Sequence, residues 1–291
     1  MGPARSFDVV VIGGAVSGAS TAILLKRRRP ELRVLVVEKG EKFDWKVGES
    51  TVEMSAYFLT RVLKQYDYLS REHLPKHAFR YWFVNDGVKR LQEASEVGPT
   101  QLPRTPSFQI DRARLDEHLL AVAASEGTEV WRPAKVVSFE LGGDAGNRLT
   151  VERAGETIEV AAKWIVDATG RQALLARKRG GVTPIDSHPT SAIWVRYRGV
   201  KDMDGVEISG TDPADPFSRA VLTSRRLATN HFTGWGYWIW FIPLRGGETS
   251  VGLVWDKRYV DPPGATPLDR LRAFLDANPL TRELLENAEP V

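Results

Sequence analysis

Two runs dominated by β-branched residues, 7–12 (FDVVVI) and 33–37 (RVLVV), flank a segment, 19–28, whose apolar positions recur at helical spacing. Apolar runs without polar alternation predict strands buried on both faces, so the three segments predict a β-α-β unit with a right-handed crossover. Further along, the spacing predicts helices over 52–65, 112–125 and 267–287, and strands over 79–84 and 163–166. Segments 136–141 and 149–153 predict a hairpin around the glycine-rich turn 142–147. From Ser191 onward the chain reads mainly as strands: SAIWVRYRGV, YWIWFIPL and TSVGLVW. No internal repeat or low-complexity run interrupts the pattern. The expected class is α/β, with a Rossmann-type nucleotide-binding domain over 1–185 that carries inserted segments around 75–105. A sheet-rich substrate layer over 186–262 and a C-terminal helical segment over 263–291 complete the expected plan.

Composition narrows the possibilities. The 291 residues are 42% apolar and 26% charged, ordinary values for a globular protein. Cysteine is absent, which removes disulfides, thiolate metal sites and cysteine nucleophiles, and makes the cytoplasm the expected compartment. No metal site is expected. No run approaches the ~18 apolar residues of a membrane span, and the N-terminal residues enter a strand without a secretory apolar region. Net charge is only +3, and the densest basic run, Lys26 to Arg29, falls at the end of a predicted helix, where cations complement the dipole. Neither a nucleic acid nor a membrane is an expected partner.

The turn after the first strand carries chemistry. In Gly13-Gly14-Ala15-Val16-Ser17-Gly18, Gly13 and Gly18 take the first and third positions of a dinucleotide fingerprint. Glycines there tighten the turn, admit a pyrophosphate close to the backbone and let the helix pack on the sheet, while the helix start offers N–H groups. Ala15 holds the second position, where close approach normally demands glycine. Glu38 closes the second strand 25 residues after Gly13, with Lys39 beside it, and is placed to bind ribose hydroxyls. An ordinary strand-to-helix turn accounts for the glycines alone; both strands and the acid in register point to a dinucleotide. No second fingerprint for a nicotinamide cofactor is present.

Segment 163–170 (KWIVDATG) resembles the second strand-end motif of the glutathione-reductase-like FAD fold. Segment 107–120 (SFQIDRARLDEHLL) resembles the stretch that lies along the flavin nucleotide in that fold's hydroxylase and halogenase branch. Residues 238–243 (WIWFIP) match the W-x-W-x-I-P pattern associated with flavin-dependent halogenases, and 46–50 (KVGES) resembles their loop after the second strand. On these motifs the chain is similar to flavin-dependent halogenases over nearly its whole length, as the first half to two-thirds of a full member. The resemblance implies FAD contacts at Gln109, Arg112 and Gly48, at the turn residues Gly13, Gly14, Ala15, Ser17 and Gly18, and at Glu38, Lys39, Asp167 and Gly170.

The same resemblance implies a catalytic role for Lys76, 27 residues after Glu49 and before an aromatic strand. A desolvated amine suits such a task. It also implies that Glu49 supports the cofactor loop at the catalytic centre and that Trp238, Trp240 and Pro243 wall substrate from flavin. Plainer readings stand beside these: a solvated Arg112 at a helix start, a surface Lys76 beside Pro75, and a core strand with Trp238 and Trp240 on one face. Two departures are visible. Glu53 stands in the region where the family loop carries proline, and the Gly-Asp motif expected near the isoalloxazine is missing. Gly143-Asp144-Ala145 looks like that motif but precedes Asp167 and falls in the predicted hairpin turn.

The activity implied is halogenation of an electron-rich aromatic substrate, free or carrier-bound. It would use oxygen, a halide ion and reduced FAD delivered by a transient flavin reductase, with Lys76 holding or relaying the electrophilic halogen. Two other readings stay open from sequence: a flavin monooxygenase or prenyl-chain reductase of the same fold, which would need no halide, and a truncated nucleotide-binding remnant without catalysis.

Overall fold

The computed structural model describes residues 5–84, 87–143, 146–205 and 223–291; Asp144 and Ala145 of the Gly-Asp-like turn lie outside them. The chain divides into two compact units, one of residues 1–47 and 112–184, the other of residues 48–111 and 185–291.

The first unit is built on a six-stranded sheet. Strand Arg5–Ile12 lies at its centre, parallel to Val34–Val37 on one side and to Glu156–Asp167 on the other. Glu129–Trp131 extends the parallel half beyond Val34–Val37. Asn147–Arg153 and Lys135–Glu140 continue from Glu156–Asp167 as an antiparallel edge. Val10, Val11, Leu35 and Val36 are fully buried, as unbroken apolar runs require. Helices Val16–Arg28 and Arg112–Ser125 pack against one another. The first stops because Arg29, preceding Pro30, is driven out of the helical region to φ −143° and ψ 78°. In its last turn, Arg27 pairs with Glu126 at 2.6 Å. Such partly exposed pairs contribute about 0–1 kcal/mol, against roughly 1.5–3 kcal/mol for each buried Val, Leu or Ile, so apolar packing dominates here.

The second unit holds a seven-stranded sheet in the order Glu289–Pro290, Thr190–Arg198, Glu248–Asp256, Tyr237–Pro243, Thr229–Gly234, Phe79–Phe83 and Ser95–Val97. All neighbours are antiparallel except Phe79–Phe83, which runs parallel to Thr229–Gly234. Strand alternation sorts the two faces. Trp82, Phe232, Ile239, Phe241, Val251 and Leu253 form one core with Leu271, Leu275, Leu280 and Leu284 of the C-terminal helices. Trp240, Ile242 and Leu244 form a second cluster, with Trp194 and Val254 against it.

Four sequence expectations change. Segment 48–111 belongs with the sheet-rich unit, not with the nucleotide-binding one, because strand Phe79–Phe83 pairs with Thr229–Gly234. Segment 263–291 is likewise part of that unit, since its leucines cover the sheet and Glu289–Pro290 pairs with Thr190–Arg198. The helix expected over 267–287 is two helices, Pro267–Ala277 and Pro279–Leu285. Asn278 caps the second by accepting from Leu280 N and Thr281 N. The helix expected over 52–65 is a short α-turn, Glu53–Tyr57, passing into a π-turn, Phe58–Val62. There Thr60 Oγ1 donates back to Ala56 O at 2.8 Å, a bond that bends helices. Among the described residues no helix is long and apolar enough to cross a membrane.

Candidate functional sites

In the first unit, a cavity of about 970 Å³ opens where the first strand meets its helix. Gly13 takes φ +102°, and a Cβ on it would lie 2.6 Å from Ala168 O. A Cβ on Gly18 would lie 1.8 Å from Gly13 O, so both glycines are required by packing of the turn itself. Gly14 N donates to Glu38 Oε2 at 2.7 Å, and Gly40 N donates to Glu38 Oε1 at 2.9 Å. A carboxylate has about four acceptor positions, so Glu38 is fixed by two backbone bonds and keeps capacity for two more. Ala15 adopts φ −69° and ψ −172°, extended backbone that suits any L-residue. The position is therefore unstrained, and its methyl group lines the cavity.

Helix Val16–Arg28 starts without a side-chain cap. Val16 N donates instead to Asp116 Oδ1 at 3.1 Å. Arg112 reaches the same carboxylate, with Nη2 3.2 Å from Oδ2, and Lys46 Nζ lies 3.0 Å from Oδ2. Arg112 Nη1 also donates to Val47 O at 3.1 Å.

Of the sequence-predicted cofactor residues, Gly13, Ala15, Ser17, Glu38, Lys39, Arg112 and Gly170 line this cavity. Gly14 and Gly18 build the turn behind it. Asp167 uses both oxygens internally, accepting from Thr169 N at 3.1 Å and from Leu175 N at 2.8 Å. Burial alone would push the Asp167 carboxyl up, but these bonds and the Thr169 hydroxyl outweigh it and leave it below its ordinary range. Asp167 thus shapes the turn that presents Ala168, Thr169 and Gly170. Gly48 (φ +92°) and Gln109 fall in the other unit, where buried Gln109 Nε2 donates to Thr229 Oγ1 at 3.0 Å.

Sequence reasoning missed Phe43, Val136 and Leu174 in the lining. Phe43 lies between two cations, Arg132 at 4.3 Å and Lys46 at 4.7 Å from its ring. No periodic signal marks it. The lining carries the cations Lys39, Lys46, Arg112, Lys135 and Arg171 against the single carboxylate of Glu38. Cations for two phosphates, a half-free carboxylate for ribose hydroxyls and apolar side chains for flat rings are a donor set that fits FAD.

In the second unit, Lys76 is 3% exposed, so the surface reading is corrected. Its Nζ donates to Thr51 O at 2.8 Å and sits 3.4 Å from the centre of the Phe79 ring. Among the described residues no carboxylate forms an ion pair with it. Burial pulls its pKa down to about 8, with the Glu53 charge opposing. About a tenth of the amine is therefore neutral at pH 7, far more than for an ordinary lysine.

Phe79 stacks on His231 with ring centres 5.5 Å apart, and Tyr81 lies 5.3 Å from the same imidazole. Burial, then the Lys76 charge, pulls the His231 pKa down to about 4. His231 pairs across the strands with Trp240, on the face opposite Phe232 and Phe241. Trp240 donates its indole N–H to Ser250 Oγ at 3.2 Å and packs on Gly252, where any Cβ would come within 2.3 Å of the ring. Trp238 is half-exposed, and Pro243 ends the same strand. The tryptophan row is thus part core and part surface.

Glu49 is 2% exposed and accepts from Arg196 Nη2 at 2.6 Å. Arg196 also reaches Asp111 at 2.7 Å and Glu248 at 3.3 Å. Burial pushes the Glu49 carboxyl up, with Ser250 and Arg196 pulling the other way without cancelling it. In this unit Glu49 anchors its loop through Arg196.

Residues 8–191 match the family described as FAD dependent oxidoreductase. The flavin-dependent halogenase chlA of Dictyostelium discoideum is 27% identical over 98% of this chain and 51% of its own length. The 1H-pyrrole-2-carbonyl-[peptidyl-carrier protein] chlorinase of Pseudomonas fluorescens is 24% identical over 87% of this chain and 57% of its own length. The chain thus spans about half the length of the curated relatives it matches. Among solved structures, halogenase PltM in complex with phloroglucinol and FAD superposes with a TM-score of 0.78 at 21% identity, covering 98% of this chain and 58% of PltM.

Proposed function

Because the chain belongs to the FAD dependent oxidoreductase family, we propose that it forms the nucleotide-binding and amine-bearing part of a flavin-dependent halogenase. The observation that carries this reading is Lys76: a buried amine with pKa about 8, unpaired by any described carboxylate and set against Phe79. A structural lysine gains nothing from such burial, whereas an amine that must act as donor or nucleophile does.

FAD, when bound and reduced, would activate oxygen and so supply the oxidising equivalent toward halide that no side chain provides. The protein's residues bind and orient. Arg112 and the turn from Gly13 to Ser17 would hold the phosphates, and Glu38 would accept from ribose hydroxyls. Lys76 would hold or relay the electrophilic halogen, and Trp238, Trp240 and Pro243 would wall the substrate. The substrate proposed is an electron-rich arene. A phenol is suggested by the relative solved with phloroglucinol, and a carrier-bound pyrrole by the relative named for one. The reductant would come from a separate flavin reductase.

The test incubates the protein with FAD, a flavin reductase with its nicotinamide reductant, oxygen and either bromide or no halide, using phloroglucinol as acceptor. Halide-dependent brominated product is expected, and Lys76→Ala should abolish it while retaining FAD. Oxygenated product formed equally without halide would overturn the reading in favour of a monooxygenase.

A further inference from the structure

Two carboxylates of the first unit are buried among its described residues, Glu38 and Asp116. Glu38 lines the cavity; Asp116, with no exposure at all, does not. Yet every group that Asp116 holds does line it: the Val16 N–H at 3.1 Å, the Arg112 guanidinium at 3.2 Å and the Lys46 ammonium at 3.0 Å. A carboxylate placed behind a cavity wall cannot meet the ligand. It can decide where the wall's donors stand.

We infer that Asp116 is a positioning residue that clamps Arg112, Lys46 and the start of the first helix into a preformed receptor for a diphosphate ester. This inference rests on the assignment of the cavity to FAD. One carboxylate against two side-chain cations and a helix N-terminus leaves surplus positive charge, and that surplus stands at the lining. The arrangement also offsets Ala15. Where the usual glycine would bring bare backbone to the phosphates, this chain has a methyl group, and side-chain cations held from behind supply charge instead. Lys46 then becomes a cofactor residue rather than an incidental member of its loop.

Two effects of removing the Asp116 charge have opposite signs, and the geometry decides between them. A less negative wall attracts phosphate more strongly. Against that, Lys46 and Arg112, the latter keeping its bond to Val47 O, must be ordered more by the ligand itself, and Val16 N–H exchanges a carboxylate acceptor for a weaker amide oxygen. With three donors depending on one carboxylate, loss of order wins.

The experiment titrates the purified full chain with FAD, with ADP and with adenosine, which lacks phosphate, for wild type and Asp116→Asn. Asp116→Asn should weaken FAD and ADP roughly tenfold and leave adenosine unchanged. Equal or tighter ADP binding by Asp116→Asn overturns the inference, because the carboxylate would then only neutralise charge. If Asp116→Asn does not fold, Lys46→Met serves, since that side chain is about one-third exposed (35%). It must weaken ADP severalfold without affecting adenosine, and unchanged ADP binding overturns the inference equally. Failure of wild type to bind FAD or ADP removes the FAD assignment and this inference with it. Wild-type binding with indifferent variants removes the inference alone.

Discussion

Two buried ionic clusters, one in each unit, invert each other's charge balance. Around Asp116, one carboxylate faces two cations, and both cations line an open cavity. Around Arg196, one guanidinium 1% exposed faces three carboxylates, Glu49, Asp111 and Glu248. The first has charge left over where a ligand can use it. The second closes on itself, and burial pushes its Glu49 carboxyl up. Desolvation makes both clusters costly to build, so each needs an offsetting role. For the first that role is recognition; for the second it is holding the loop that leads from Glu49 to Thr51, whose carbonyl receives Lys76.

The contrast breaks most sharply at Arg196. Arg196→Met leaves Glu49 buried without its cationic partner and should cost about 3–5 kcal/mol in urea unfolding. The loss should be larger at pH 8 than at pH 5. A carboxyl with a raised pKa is protonated in the folded state over a window where the unfolded chain has already released its proton, so stability falls as pH rises through that window. An equal loss at both pH values would mean that Glu49 is charged throughout.

Lys76 sharpens the comparison as a third buried charge, with no cluster at all. Its folded pKa of about 8 lies below the ordinary 10.5, so the unfolded chain binds the extra proton between those values and wild-type stability rises with pH across them. Lys76→Met should gain about 1–3 kcal/mol at pH 7, and the gain should disappear near pH 10.5. Loss of stability at pH 7 would show that the ammonium is well solvated.

The smallest effect belongs to the open cluster. Ala15→Gly restores bare backbone at the cavity and should tighten FAD about threefold, with a shallower salt dependence as the side-chain cations matter less. Unchanged affinity would mean that the Ala15 methyl never meets the phosphates.

Much of this was legible in the chain, and the exceptions have physical causes. The β-α-β start, Glu38 at the second strand's end and helix Arg112–Ser125 follow from local periodicity, which reports nearest neighbours well. The unit boundary at residue 48 does not, because it depends on a pairing between Phe79–Phe83 and a strand some 150 residues later. The split at Asn278-Pro279 was readable as a capping signal inside an apolar pattern that looked continuous. Lys76 was singled out by resemblance, but nothing local announced its burial or its proximity to His231. Asp116 had one trace in sequence, its i,i+4 spacing from Arg112. That spacing suggests an ordinary surface pair, and only the approach of Lys46 and Val16 from distant segments makes it a buried hub.

The central strand Arg5–Ile12 also carries a consequence for how this chain is made. Val10 meets Leu35 after 25 residues, but its other neighbour, Ile165, arrives 155 residues later, after the whole 48–111 excursion has left the ribosome. At ~5–20 residues per second the nascent sheet keeps one apolar edge open for roughly 8–30 s. Asp8 is a carboxylate in that edge; it accepts early from Arg33 N at 2.9 Å, and gains its lysine partner only when Lys163 arrives with the late strand, at 2.7 Å. Until then a carboxylate without its lysine in the run discourages a neighbouring chain from docking there, and afterwards the same group helps seat the correct partner.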